Sequence, residues 1–251
     1  LRDTEAVKKY ITTKYENSRS RKTQYASIAS ILGVLPEFQA VYTVFSNLTI
    51  KEGIKIDLVE GDNLSTERDL KNHIPWSELR VLYKTIPNPR EKALIALYTL
   101  LPPRRIEDVS LITLNSQKEK ENELVVKDGN PSSIVYRKFK TDKFSETIEI
   151  NLPATLAKII KIYILDAGLK DGDPLFGTTS KSYMKNFSEV VTKLFLKHTQ
   201  VPVGANALRH SFITDFLSKV RTTNEKIKIA KMMGNSISTQ GNYLRVDQLE
   251  Q

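Results

Sequence analysis

Apolar residues recur at steps of three and four over most of this 251-residue chain, and between about residues 123 and 153 the step falls to two. That pattern predicts a mainly α fold with one small antiparallel β-sheet inserted, an α+β class. The two-step region holds Glu123-Leu124-Val125-Val126, Ser133-Ile134-Val135-Tyr136 and Glu146-Thr147-Ile148-Glu149-Ile150. Turn-forming residues separate them, Asp128-Gly129-Asn130-Pro131 and Lys140-Thr141-Asp142-Lys143, so a three-stranded meander is expected.

Ahead of the meander, residues 3–17, 21–34 and 36–49 read as three short helices, with Ile28, Ile31, Leu32, Phe38, Val41 and Phe45 at helical spacing. Residues 50–72 turn polar, with Lys-Glu-Gly and Glu-Gly-Asp-Asn stretches that suggest a linker. The expected division is a helical domain over 1–65 and a larger domain over 73–251. In the larger one, Ala93 to Leu101 is apolar enough for a core helix, which Pro102-Pro103 must end. Proline is tolerated in a helix's first turn, so another helix can begin at once and place Arg104 and Arg105 at a fixed junction. Helices are expected over 153–167, 180–198, 205–220 and 223–233, then a short one carrying Tyr243.

The chain has 38 Lys and Arg against 29 Asp and Glu, and a net charge of +9 attracts polyanions, with nucleic acid first among them. There are no cysteines, which excludes disulfides, thiolate zinc sites and thiol catalysis. His73, His198 and His210 are widely spaced and form no ligand pattern, so no metal site is expected. No apolar run approaches the ~18 residues of a membrane span, and the first five residues are not a signal peptide. A soluble, intracellular protein is the expectation. Position 1 is Leu rather than Met, which suggests a piece of a longer protein.

Four stretches then stand out in order: Pro103-Arg104-Arg105-Ile106-Glu107-Asp108-Val109-Ser110-Leu111, Phe139-Lys140-Thr141-Asp142-Lys143, Ala205-Asn206-Ala207-Leu208-Arg209-His210-Ser211-Phe212, and Met233-Gly234-Asn235-Ser236 leading to Tyr243. Each alone has an ordinary reading, as a solvated arginine pair, a lysine in a surface turn, a packed helix and a core aromatic. Together, over roughly residues 75–246, they resemble the boxes of the tyrosine recombinases. The double Pro and double Arg are similar to recombinases of large eukaryotic viruses and some transposons. Two positions depart from the family pattern: Asn206 stands where His is common, and Asn235 where His or Trp is.

The resemblance implies a site-specific DNA recombinase or integrase that cuts and rejoins strands through a 3′-phosphotyrosine, as a homotetramer on double-stranded DNA and without cofactor or metal. Arg104, Lys140, Asn206, Arg209, Asn235 and Tyr243 are then its catalytic positions, with Arg105 and Lys143 as DNA contacts. The chemistry suits these residue types. Attack on a phosphodiester builds charge on its oxygens, and two fixed guanidiniums, Arg104 and Arg209, offer paired donors for it. The phenol of Tyr243, with an ordinary pKa near ~10, needs cations nearby to become a nucleophile. A lysine, Lys140 or else Lys143, can protonate the departing oxygen. His210 reads as a packed helper and not a proton carrier. The first helical domain resembles a DNA clamp, with Arg19, Arg21 and Lys22 as phosphate contacts. The alternatives are a type IB topoisomerase, and a DNA-binding protein of the same fold that has lost the chemistry.

Overall fold

The computed structural model describes residues 3–60, 65, 67–116, 118, 121–139, 147–176 and 181–245. The chain divides into two compact units, Leu1–Leu64 and Ser65–Gln251.

The first unit holds α1 (Thr4–Lys14), α2 (Ser18–Leu32), a 3-10 turn (Pro36–Phe38) and α3 (Gln39–Glu60). Side-chain oxygens cap the first two helices, Asp3 accepting from the Ala6 amide at 2.9 Å and Asn17 from the Ser20 amide at 2.7 Å. Ile11, Tyr25, Ala29, Leu32 and Phe45 form the core. Here the expected linker is corrected, because α3 continues through residues 50–60. Glu52 in this stretch is paired inside the unit: 5% exposed, it accepts from Arg21 Nε at 3.0 Å and from Lys55 Nζ at 2.7 Å. An ion pair across α2 and α3 thus holds a stretch that looks solvent-bound in sequence.

The second unit begins with α4 (Glu67–Lys71), α5 (Trp76–Leu79), a 3-10 turn (Leu82–Thr85) and α6 (Pro89–Leu100). Asn88 caps α6 through the Glu91 amide, with Pro89 in the first turn. Ala93 through Thr99 are all buried, so α6 is the core helix the sequence indicates. After α7 (Ile106–Ser110) come β1 (Ile112–Leu114), β2 (Asn122–Lys127), β3 (Asn130–Tyr136) and β4 (Ile148–Asn151), in that spatial order.

The sheet is mixed. β2, β3 and β4 are the antiparallel meander, while β1 adds parallel to β2 with Ile112 opposite Asn122. Three residues are too few to display an alternation, which is why β1 was absent from the sequence reading. Its other side is held by Leu114 N donating to Asp173 O and Leu175 N to Ile112 O. The chain continues through α8 (Ala154–Ala167), α9 (Lys181–Thr199), α10 (Ala205–Leu217), α11 (Thr223–Met233) and α12 (Ile237–Gly241). α10 turns Leu208, Ile213 and Phe216 inward, and burying each such side chain favours folding by ~1.5–3 kcal/mol. No helix among the described residues is long and apolar enough to cross a membrane.

Candidate active site

Three parts of the second unit meet: the junction between α6 and α7, the first turns of α10, and the segment from the end of α11 to Arg245. Pro102-Pro103 stops α6, and the backbone at Arg105 is extended (φ −65°, ψ 153°) before α7 starts. Arg104 turns inward, its side chain 2% exposed. Its Nε donates to Asp108 Oδ2 at 2.9 Å and its Nη1 to the Met232 carbonyl at 2.7 Å. The guanidinium also lies over the Tyr136 ring, 3.9 Å from its centre, and 5.2 Å from that of Phe139. Burial raises the pKa of the Asp108 carboxyl, with the Arg104 guanidinium opposing, and burial also keeps the Tyr136 hydroxyl protonated.

Arg105 reaches the same segment from a partly exposed position. Its Nη1 donates to the Gly234 carbonyl at 2.8 Å and its Nη2 to Asn235 Oδ1 at 2.9 Å. Arg209, fully buried on α10, donates from Nη2 to the same Asn235 Oδ1 at 2.7 Å. Burial lowers its pKa to about 10, so it stays charged at neutral pH. Four buried donor atoms of this cluster have no acceptor among the described residues: Arg104 Nη2, Arg209 Nε, Arg209 Nη1 and Asn235 Nδ2. Buried donors are nearly always satisfied, and the open cationic ones on Arg209 are chemically suited to anionic oxygens.

The turn that delivers Asn235 depends on Gly234, which ends α11 at φ 65° and ψ 40°, with Asn235 N donating back to Ala230 O. A Cβ on Gly234 would stand 2.7 Å from Arg104 Nη2. Ser236 then caps α12, accepting from the Thr239 amide.

Tyr243 lies in the turn that follows α12 and not within the helix, with its amide donating to Gln240 O. The Arg209 guanidinium carbon lies 4.6 Å from the centre of its ring. His210, on the same helix as Arg209, contacts this segment twice. Its Nδ1 is 2.9 Å from the Tyr243 carbonyl, and its Nε2 is 3.4 Å from Arg245 Nη2. Burial and the nearby Arg245 charge lower its pKa, so the imidazole is neutral, donating from Nδ1 and accepting at Nε2. Arg245 is held further by an ion pair to Asp69 (3.5 Å), and its amide donates to Thr214 Oγ1.

Of the residues singled out in the sequence, the structure brings Arg104, Arg105, Arg209, Asn235 and Tyr243 together. Asn206 is exposed in the first turn of α10 and makes no side-chain hydrogen bond among the described residues. Lys140 and Lys143 lie outside the described residues. In the first unit Arg21 is committed to the fold: besides Glu52 it donates to the carbonyls of Tyr15 and Glu16 and to Ser18 Oγ. Arg19 is exposed, and the Lys22 side chain runs toward Gly53. The sequence reading missed Asp108, Tyr136, Asp69, Thr214 and Arg245. Only Asp108 carried a signal, four residues after Arg104 on a helical face.

Mostly helical, with a four-stranded mixed sheet, the chain has a recombinase-like α+β fold. The likeness is to the crystal structure of XerA recombinase, with a TM-score of 0.53 and 16% sequence identity over 93% of this chain and 81% of that one. No family model and no curated protein sequence matches the chain.

Proposed function

We propose that this chain is a DNA strand transferase, a tyrosine recombinase in which Tyr243 attacks a phosphodiester. The observation that carries the proposal is the pair of guanidiniums, Arg105 and Arg209, sharing Asn235 Oδ1 while buried cationic donors beside them stay open and a tyrosine ring lies against Arg209. Such donors are fixed before substrate arrives, so little reorganisation is needed as charge builds on the phosphoryl oxygens.

In the step, the bond from phosphorus to Tyr243 Oη forms as that to the 5′ oxygen breaks. The phenol proton is lost to solvent or a base, and the leaving oxygen takes one from Lys140. One phosphoester replaces another, and the 3′-phosphotyrosyl link conserves the energy that religation to a new strand requires. Neutral His210 holds the backbone of the nucleophile and moves no proton. The unit Leu1–Leu64 serves as the DNA clamp. The active assembly is a homotetramer on two duplexes, acting for a virus or mobile element in integration or excision.

A second reading, a DNA-binding protein of this fold without the chemistry, draws on Asn206 and Asn235, whose amides cannot exchange a proton near neutral pH. Covalent trapping decides between them. Wild type and Tyr243→Phe are incubated with nicked or four-way-junction DNA in EDTA, denatured, and examined for a protein–DNA adduct. An adduct formed by wild type and lost in the variant supports the transferase. Salt-sensitive binding without adduct supports the second reading. Relaxation of supercoils without strand exchange would instead identify a type IB topoisomerase.

A further inference from the structure

We infer that Arg105, and not the adjacent Arg104, is the arginine that joins Arg209 on the reacting phosphate. The inference rests on the strand-transfer reading above and names the residue that touches substrate within it. Both arginines reach the turn at the end of α11, but burial separates them, Arg104 being enclosed and Arg105 partly exposed. Arg104 faces the interior. Asp108, the Met232 carbonyl and the Tyr136 ring hold it on three sides, and its one open nitrogen, Nη2, is packed against Gly234. A phosphate reaching that nitrogen would have to displace the end of α11.

Arg105 is partly exposed and binds only the Gly234 carbonyl and Asn235 Oδ1 among the described residues, leaving Nε and one hydrogen on each terminal nitrogen for a ligand. The decisive geometry is the shared acceptor. An oxygen 2.9 Å from Arg105 and 2.7 Å from Arg209 marks a point both guanidiniums can serve at once. The Asn235 amide oxygen fills that point here, and a phosphoryl oxygen carrying full charge takes it more strongly. Arg104 is then the positioning residue beneath, which sets the Met232 carbonyl and the turn bearing Asn235.

The test pairs two conservative variants of the full chain, because Lys keeps the charge and loses the fork. Arg105→Lys is expected to keep the wild-type melting temperature within a few degrees and to lose about a hundredfold or more in adduct formation, the loss typical of one transition-state donor. Added ethylguanidinium should restore part of the activity of Arg105→Ala. Arg104→Lys is expected to melt lower and, where folded, to form adduct within about tenfold of wild type. The reverse pattern overturns the assignment.

Arginine modification by phenylglyoxal, mapped on native protein, reads the same point without catalysis. Arg105 should react, and bound duplex should protect it, while Arg104 stays unreactive throughout. Duplex binding with Arg105 unprotected removes the assignment alone. Failure of the native protein to bind any duplex removes the DNA reading, and the assignment with it.

Discussion

Replacing Gly234 by Ala should destabilise the second unit far more than an ordinary glycine substitution does. The backbone there is left-handed at φ 65°, which costs a residue with a Cβ ~1–2 kcal/mol. The new methyl would also stand 2.7 Å from Arg104 Nη2. Arg104 cannot swing aside without giving up Asp108, the Met232 carbonyl and the face of Tyr136, so overpacking adds ~1–3 kcal/mol. Gly168 supplies the control, since it ends α8 at φ 62° with nothing within 4 Å of its would-be Cβ. Urea unfolding of both variants, followed by near-ultraviolet circular dichroism, should place Gly234→Ala about 1–3 kcal/mol below Gly168→Ala, a gap of several degrees in melting temperature for a domain of this size. Equal losses in the two variants would refute the idea that Arg104 is fixed against the end of α11.

Asp108→Asn leaves the Arg104 guanidinium buried without its counter-charge and should cost ~3–5 kcal/mol, measurable as a large fall in melting temperature. Arg21→Ala breaks the Arg21–Glu52 pair and should destabilise the first unit by ~3 kcal/mol while lowering DNA affinity less than Lys22→Ala does, as read by thermal unfolding and by fluorescence anisotropy with labelled duplex. The folded pKa of His210 is depressed, so the unfolded chain binds the proton more readily; its contribution to stability is whole above the unfolded value of ~6.5 and is lost as pH falls through the folded value. Urea midpoints measured from pH 7.5 down to pH 5 should therefore fall in wild type, and fall less in His210→Asn, whose amide can still donate to the Tyr243 carbonyl.

Periodicity carried the helices and the meander, because those elements bury one face and repeat it. It carried less where partners are distant in sequence. α3 looked like linker beyond residue 49 because Lys-Glu-Gly and Glu-Gly-Asp-Asn read as turn-prone polar stretches, and the cation paired with Glu52 sits 31 residues earlier. β1 is too short to show a period. Arg21 reads as a free cation until the carbonyls of Tyr15 and Glu16 are folded back onto it. At the candidate site, residue types and order singled out Arg104, Arg105, Arg209, Asn235 and Tyr243 as a group, but adjacent arginines are alike in sequence, and only burial separates the inward one from the outward one. Of the adjacent acids Glu107 and Asp108, only burial shows that Asp108 is the one facing Arg104. Asn206 was picked by position, and its exposure on the first turn of α10 leaves it outside the cluster.

Arg105 and Arg209 are like charges drawn to one neutral oxygen, and both also interact electrostatically with the buried Asp108. That oxygen therefore ties the α6–α7 junction to α10, two elements far apart in sequence. Under the proposed function, a phosphoryl oxygen taking that point would hold both elements through charged hydrogen bonds. Occupancy and folding are then linked, and polyanion at saturating concentration should raise the unfolding free energy of the second unit.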